Sequence, residues 1–253
     1  MEVYIPEKWR AWLEEECLLR FDDWWNLELE AVDEANTGRG GWSTVFKLQR
    51  RGRVFFVKRQ SNHLSRNLSS GFFSRPTFKS ELEQVHRYRE RNIPCIEPVF
   101  FASMKIKGEH QAILVTESLE GYCALDELLQ DPVKLVAWDR RHLCKSVAVS
   151  VARLHAAGIE HYNLYPKHIF VRYHEGVIDV RFIDLETSRH HFGLLKRRLR
   201  DIETLSRRTP WVSNTERLRF LLAYFCKTKV DKKIRQAIDL IAMRSKRKSK
   251  RAK

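Results

Sequence analysis

The chain alternates between two kinds of hydrophobic pattern, and the change falls near residue 117. Before it, most apolar residues come in short β-branched or aromatic runs separated by glycine turns. Val45–Gln49 and Val54–Lys58 flank Arg51-Gly52, and Val99–Met104 and Ala112–Glu117 flank Lys107-Gly108, as two hairpins would. Leu27–Val32 alternates apolar and acidic residues and predicts an edge strand, so a sheet of about five strands is expected. Helical spacing interrupts these strands twice. Trp9, Trp12, Leu13 and Cys17 share a face over residues 6–20, with Pro6 near the helix start and Trp24 and Trp25 beyond it. Phe78, Leu82 and Val85 define a second helix that Thr77 can cap and that Asn92 and Pro94 end near Arg91. Residues 60–76, polar around Phe72-Phe73, read as a loop.

After Glu117 the period becomes helical. A short helix is expected at Leu125–Leu129 and a long one at Asp139–Ala157, carrying Leu143, Val147, Val151 and Leu154 on one face and ending at Gly158. Two short β-branched runs then flank Gly176, and helices are expected at Leu194–Ser206, Thr215–Phe225 and Asp231–Met243. The sum is an α+β protein with a small sheet-rich part at about 27–117 and a helical part at about 119–243.

Composition narrows the class. The 253 residues are 43% hydrophobic, enough for a substantial core, and contain no apolar run of membrane-spanning length. The start of the chain lacks the basic-then-apolar pattern of a secretory signal. Five scattered cysteines (Cys17, Cys95, Cys123, Cys144, Cys226) without C-x-x-C spacing read as reduced thiols, so a cytoplasmic protein is expected. The net charge of +15 calls for polyanionic company. Residues 244–253 hold seven basic residues and no acid and read as a disordered tail; without them the chain is still +8. Charge alone would admit a nucleic-acid binder, but the tryptophans lie mostly outside the basic runs, no stacking platform is evident, and no specific nucleic acid is expected. Lys196-Arg197-Arg198 with Arg200, and Arg207-Arg208, read either as phosphate contacts or as a solvated helix face.

The chemistry-bearing residues occur in an order. Gly38, Gly40, Ser43 and Val45 fit a glycine-rich phosphate loop of the form G-x-G-x-x-G-x-V, with Ser43 at the third glycine position. Lys58 ends the next strand, where a lysine can hold nucleotide phosphates. A helical carboxylate should pair with it. Glu81 lies on the buried face of its helix and Glu83 points away, so Glu81 is the expected partner. His161-Tyr162-Asn163, followed five residues later by His168, fits the loop H-R-D-x-x-x-x-N with Asn163 at the base position and His168 at the second metal-ligand position. Asp184 follows an apolar strand, where a carboxylate would hold Mg²⁺.

Leu-Tyr-Pro-Lys-His-Ile-Phe-Val (164–171), followed by Phe-Ile-Asp-Leu-Glu, resembles the lipopolysaccharide core kinases of the WaaP/InaA type from Gly38 to about Tyr224. The resemblance implies a two-lobed protein-kinase-like fold, with ATP between a β-rich N-lobe and a helical C-lobe. It also implies phosphorylation of inner-core heptose at the cytoplasmic face of the inner membrane of a Gram-negative bacterium. ATP and Mg²⁺ are then the cofactors, lipopolysaccharide core glycolipid the partner, and an anionic membrane a peripheral contact. With only 69 residues after Asp184 and no Ala-Pro-Glu among them, a peptide-docking segment is not expected. Asn163 departs from the pattern: an amide can orient an acceptor hydroxyl but cannot take its proton. A working kinase and a non-catalytic relative that binds nucleotide or glycolipid both remain open.

Overall fold

The computed structural model describes residues 1–32, 34–38, 40–65, 75–131, 133, 138–190, 192–193 and 195–251. The chain divides into two compact units, one of Met1–Arg87 with Ile96–Glu120 and one of Tyr88–Cys95 with Gly121–Lys253.

The first unit is built on an antiparallel sheet. Its strands are β1 (Glu2–Tyr4), β2 (Glu30–Ala31), β3 (Trp42–Arg50), β4 (Arg53–Ser61), β7 (Pro98–Ile106) and β8 (Glu109–Glu117), in the order β1-β7-β8-β4-β3-β2. Leu64–Ser65 (β5) and Arg75–Pro76 (β6) pair separately. The expected loop over 60–76 is thus partly strand, and Phe72-Phe73 lies outside the described residues. The central strands are apolar at consecutive positions because both faces are covered. On one face, Phe55, Val57, Phe100, Ala102, Ile113 and Val115 pack with Trp9 and Leu13 of α1 (Glu7–Glu15) and Phe21 and Trp24 of α2 (Phe21–Trp25). On the other, Phe101, Ala112 and Leu114 pack with Phe78 and Leu82 of α3 (Thr77–Glu90). The unit therefore begins well before residue 27. The N-terminal segment supplies an edge strand, β1 on β7, and the layer that closes one face.

α3 starts at Thr77 itself. The Thr77 hydroxyl donates to Gln60 Oε1 at 2.8 Å, and the same oxygen accepts the Phe78 N–H at 3.0 Å. A strand side chain thus satisfies the helix start, which local sequence rules do not anticipate.

In the second unit, β11 (Ile169–His174) and β12 (Val177–Phe182) form the hairpin at Gly176, and β9 (Cys123–Ala124) extends it. A further pair joins β10 (Ile159–Glu160) to β13 (Arg189–His190). The helices are α4 (Leu125–Gln130), α5 (Arg140–Ala156), α6 (Leu195–Arg207), α7 (Asn214–Tyr224) and α8 (Lys232–Arg251). Leu143, Val147, Val151 and Leu154 of α5 are all buried, and Asp139 caps it by accepting the Arg141 N–H. α8 corrects the tail expectation. Residues 244–251 continue as helix, with Arg244 donating to the Lys196 carbonyl at 3.1 Å and Lys248 lying 3.5 Å from Glu203. No helix among the described residues is long and apolar enough to cross a membrane.

Candidate active site

In the first unit, strand alternation places the chemistry. Phe55 and Val57 face α1 and α2, so Lys58 and Gln60 face α3. Gln60 fixes the start of α3, and Glu81, one turn further in, meets Lys58. The Lys58 ammonium donates to both carboxylate oxygens, at 2.7 and 2.8 Å. The Glu81 side chain is 2% exposed and that of Lys58 16%. A carboxylate this buried requires a cation, so the pair holds the lysine in one place.

The glycine-rich segment is a hairpin tip closed by Asn36 and Ser43, which exchange both backbone hydrogen bonds at 2.9 Å. Asn36 Oδ1 also accepts the Gly38 N–H at 3.0 Å. Ser43 lies inside β3 with its N–H committed to Asn36, so its hydroxyl, not its backbone, is what it can offer a ligand. Gly40 has φ +81° in open space, whereas a Cβ on Gly41 would sit 2.1 Å from the Ser61 carbonyl oxygen and 2.3 Å from the Asn62 carbonyl carbon. Gly41, not singled out by the motif, is the one that lets the tip lie against the end of β4. Gly41→Ala is therefore expected to cost about 1–3 kcal/mol by forcing the two strands apart. Gly40→Ala is expected to cost only about 1 kcal/mol, from backbone strain. Urea unfolding midpoints of the two variants check this order.

In the second unit, Asp201 organises the loop. One carboxylate oxygen accepts the His161 N–H at 2.7 Å and the other accepts the Tyr162 N–H at 2.8 Å. His155 Nε2 lies 3.1 Å from Oδ2, and the opposite ring nitrogen is 2.7 Å from the Tyr224 hydroxyl. Asp201 is fully buried on α6. These bonds hold Tyr162 at φ +73°, a conformation that a bulky residue adopts only when its surroundings enforce it. The sequence signal for Asp201 was faint: one of two acids in a helix with five basic residues, between the buried Leu199 and Ile202.

His161 Nε2 is 3.1 Å from the Ile183 carbonyl, which only accepts, so that nitrogen carries the proton. Burial pushes the imidazole below its ordinary pKa. The Ile183 N–H in turn donates to the His168 carbonyl at 3.1 Å. Both backbone groups of Ile183 are thus held from the loop, and the next residue, Asp184, turns out at φ 59°, ψ 57°. Aspartate tolerates that left-handed conformation better than most side chains. Its carboxylate is 36% exposed, with Oδ2 3.2 Å from His168 Nδ1. That nitrogen also lies 2.9 Å from the Asn163 carbonyl, which makes Nδ1 the protonated atom and leaves Nε2 with the lone pair. Burial, outweighing the Asp184 charge, pushes His168 below its ordinary pKa and keeps the ring neutral. The Asn163 carbonyl accepts a second bond, from the Tyr165 N–H at 2.7 Å.

Within this unit the fold therefore brings Asn163, His168 and Asp184 together, as the spacing predicts. No group of three His, Cys, Asp or Glu among the described residues could by itself hold a metal ion. The residues fit Mg²⁺ in one particular way. Mg²⁺ takes one or two carboxylates, keeps water and shares its shell with substrate phosphates, and Asp184 supplies one exposed hard oxygen for this. His168 Nε2 is a softer second donor.

The sheet-rich and helical fold is shared with a family of kinases. The model of the Lipopolysaccharide kinase (Kdo/WaaP) family matches residues 22–224, and the chain belongs to that family. It is similar to Protein InaA of Escherichia coli (strain K12), with 33% identity over 171 residues that span 67% of this chain and 78% of InaA. It also shares its fold with WaaP, solved in complex with acyl carrier protein. The TM-score is 0.70 over 98% of this chain and 99% of that one, at 19% identity.

Proposed function

We propose that this member of a lipopolysaccharide kinase family transfers the terminal phosphoryl group of ATP to a heptose hydroxyl of the lipopolysaccharide inner core. The observation that carries the reading is the Lys58–Glu81 pair. A buried carboxylate at 2.7 Å fixes a strand lysine, the arrangement by which kinases hold nucleotide phosphates. In this reading Gly38, Gly40 and Ser43 border the phosphates, Lys58 contacts them, and Asp184 with His168 Nε2 holds Mg²⁺. The ion, when bound, offsets charge on the phosphate oxygens. The Asn163 amide orients the acceptor hydroxyl. The expected location is the cytoplasmic face of an anionic membrane, supported by a net charge of +15 and a C-terminal helix rich in Lys and Arg. Acyl carrier protein, the partner of WaaP in its solved structure, is a candidate partner here too. The test is ADP release from Mg·ATP by purified protein with lipopolysaccharide as acceptor. Absence of both turnover and Mg·ATP binding would overturn the reading.

Asn163 favours a second reading, a binding protein without turnover, because an amide accepts no proton. Phosphoryl transfer has a loose transition state in which positioning and charge stabilisation supply most of the rate, so loss of a base slows it without abolishing it. Asn163→Asp is expected to raise kcat by about 10²-fold or more over a measurable wild-type rate. Turnover in the variant alone would assign the natural protein to the binding role.

A further inference from the structure

Glu160 and Arg189 stand directly opposite each other across β10 and β13. The Glu160 side chain is fully buried, and neither carboxylate oxygen makes a hydrogen bond to any described residue. It is balanced instead by Arg189 Nε at 3.4 Å and, from α6, Arg200 Nε at 4.0 Å. Both guanidinium carbons lie 3.5 Å from the centroid of the Tyr162 ring. Two such groups cannot share one face of a ring at that distance, so they clamp it from opposite sides. Stacking and the long Nε contacts occupy the faces and one edge of each guanidinium. Among the described residues neither makes a hydrogen bond or an ion pair to any group but Glu160, and their side chains are 44% and 29% exposed. Each therefore keeps N–H donors on its outer edge.

The local charge does not balance. Arg197, which donates to the His190 carbonyl at 3.2 Å, adds a third cation beside Glu160. Both oxygens of Asp201 are already spent on the His161 and Tyr162 N–H groups. Arg208 lies over the Tyr165 ring at 4.9 Å, on the far side of Asn163 in sequence. Unpaired guanidinium edges held rigid by aromatic rings are built to receive oxyanions, since the planar fork matches a phosphate or carboxylate with two parallel hydrogen bonds.

We propose that Arg189 and Arg200, clamped on Tyr162, form a subsite for an oxyanion of the acceptor, a phosphate ester or a sugar carboxylate, and so select acidic acceptors. The inference rests on the kinase reading for the identity of the acceptor, but its test does not need turnover. Lipopolysaccharide freed of its ester- and amide-linked acyl chains is titrated calorimetrically into wild type, Arg189→Gln and Arg200→Gln. Each glutamine variant is expected to bind it about 10- to 100-fold more weakly. The same titration is repeated with material treated with hydrofluoric acid, which removes phosphate esters and spares carboxylates. Collapse of the difference between wild type and variants identifies the anion as phosphate; its persistence identifies a carboxylate. Wild-type affinity in both variants, or no binding by the wild type, overturns the proposal. If the glutamine variants do not melt cooperatively, Arg189→Lys and Arg200→Lys decide. Several-fold weaker binding supports the fork, and unchanged binding overturns it. Discrimination without either ADP release or Mg·ATP binding would leave the subsite standing and remove the kinase reading; ADP release without discrimination would do the reverse.

Discussion

Asp184→Asn is expected to leave the protein folded and to lower phosphoryl transfer by about 10²–10³-fold. The substitution preserves shape, and asparagine tolerates the left-handed backbone found at residue 184. The side chain is 36% exposed, and the backbone of the preceding residue is held by His161 and His168 whatever residue 184 carries. What is removed is one negative charge at the place where Mg²⁺ and the nucleotide phosphates would meet. The loss should therefore appear in kcat at saturating Mg²⁺, with an unchanged melting temperature. A variant that retained wild-type turnover would remove Asp184 from the metal role.

Asp201→Ala is expected to act on the fold, at a cost of about 3–5 kcal/mol. Two backbone N–H groups at the start of the loop would lose their fully buried acceptor, and His155 would lose its carboxylate. The Tyr162 backbone, at φ +73°, would lose one of the bonds that enforce it. Chemical denaturation should show the drop in stability, and amide exchange should show His161 and Tyr162 losing protection. An unaltered unfolding midpoint would mean that the loop is held by other contacts. Asp201→Asn separates the parts of the effect, since its carboxamide can accept one of the two N–H groups but not both without turning its donor toward the second.

Some of this site was legible in the sequence, for identifiable reasons. Glu81 could be chosen over Glu83 because helical spacing fixes which side of α3 faces the sheet, and an acid on that side demands a cation. Asn163, His168 and Asp184 could be grouped because a loop, a hairpin and a turn separate them by short, fixed distances along the chain. Asp201 could not be found this way. It lies 40 residues from the N–H group it holds, and nothing in the sequence of its helix says which distant groups a buried acid there will meet. Gly41 was passed over because its constraint comes from the far end of the neighbouring strand, not from the motif. Gln60 was passed over because a helix cap is sought within the helix's own sequence. The C-terminal residues were misjudged because composition registers their like charge but not the carboxylate of Glu203 that Lys248 approaches.

The sequence by itself determined the main strands and helices, the lysine–glutamate pair and the grouping of Asn163, His168 and Asp184, because periodicity and short spacings are local properties of a chain. Only the tertiary structure decided which groups hold that loop in shape and which cations flank it. Those depend on β10 meeting β13 and on α6 turning Asp201 inward, and long-range packing of this kind leaves no periodic trace in the residues it joins.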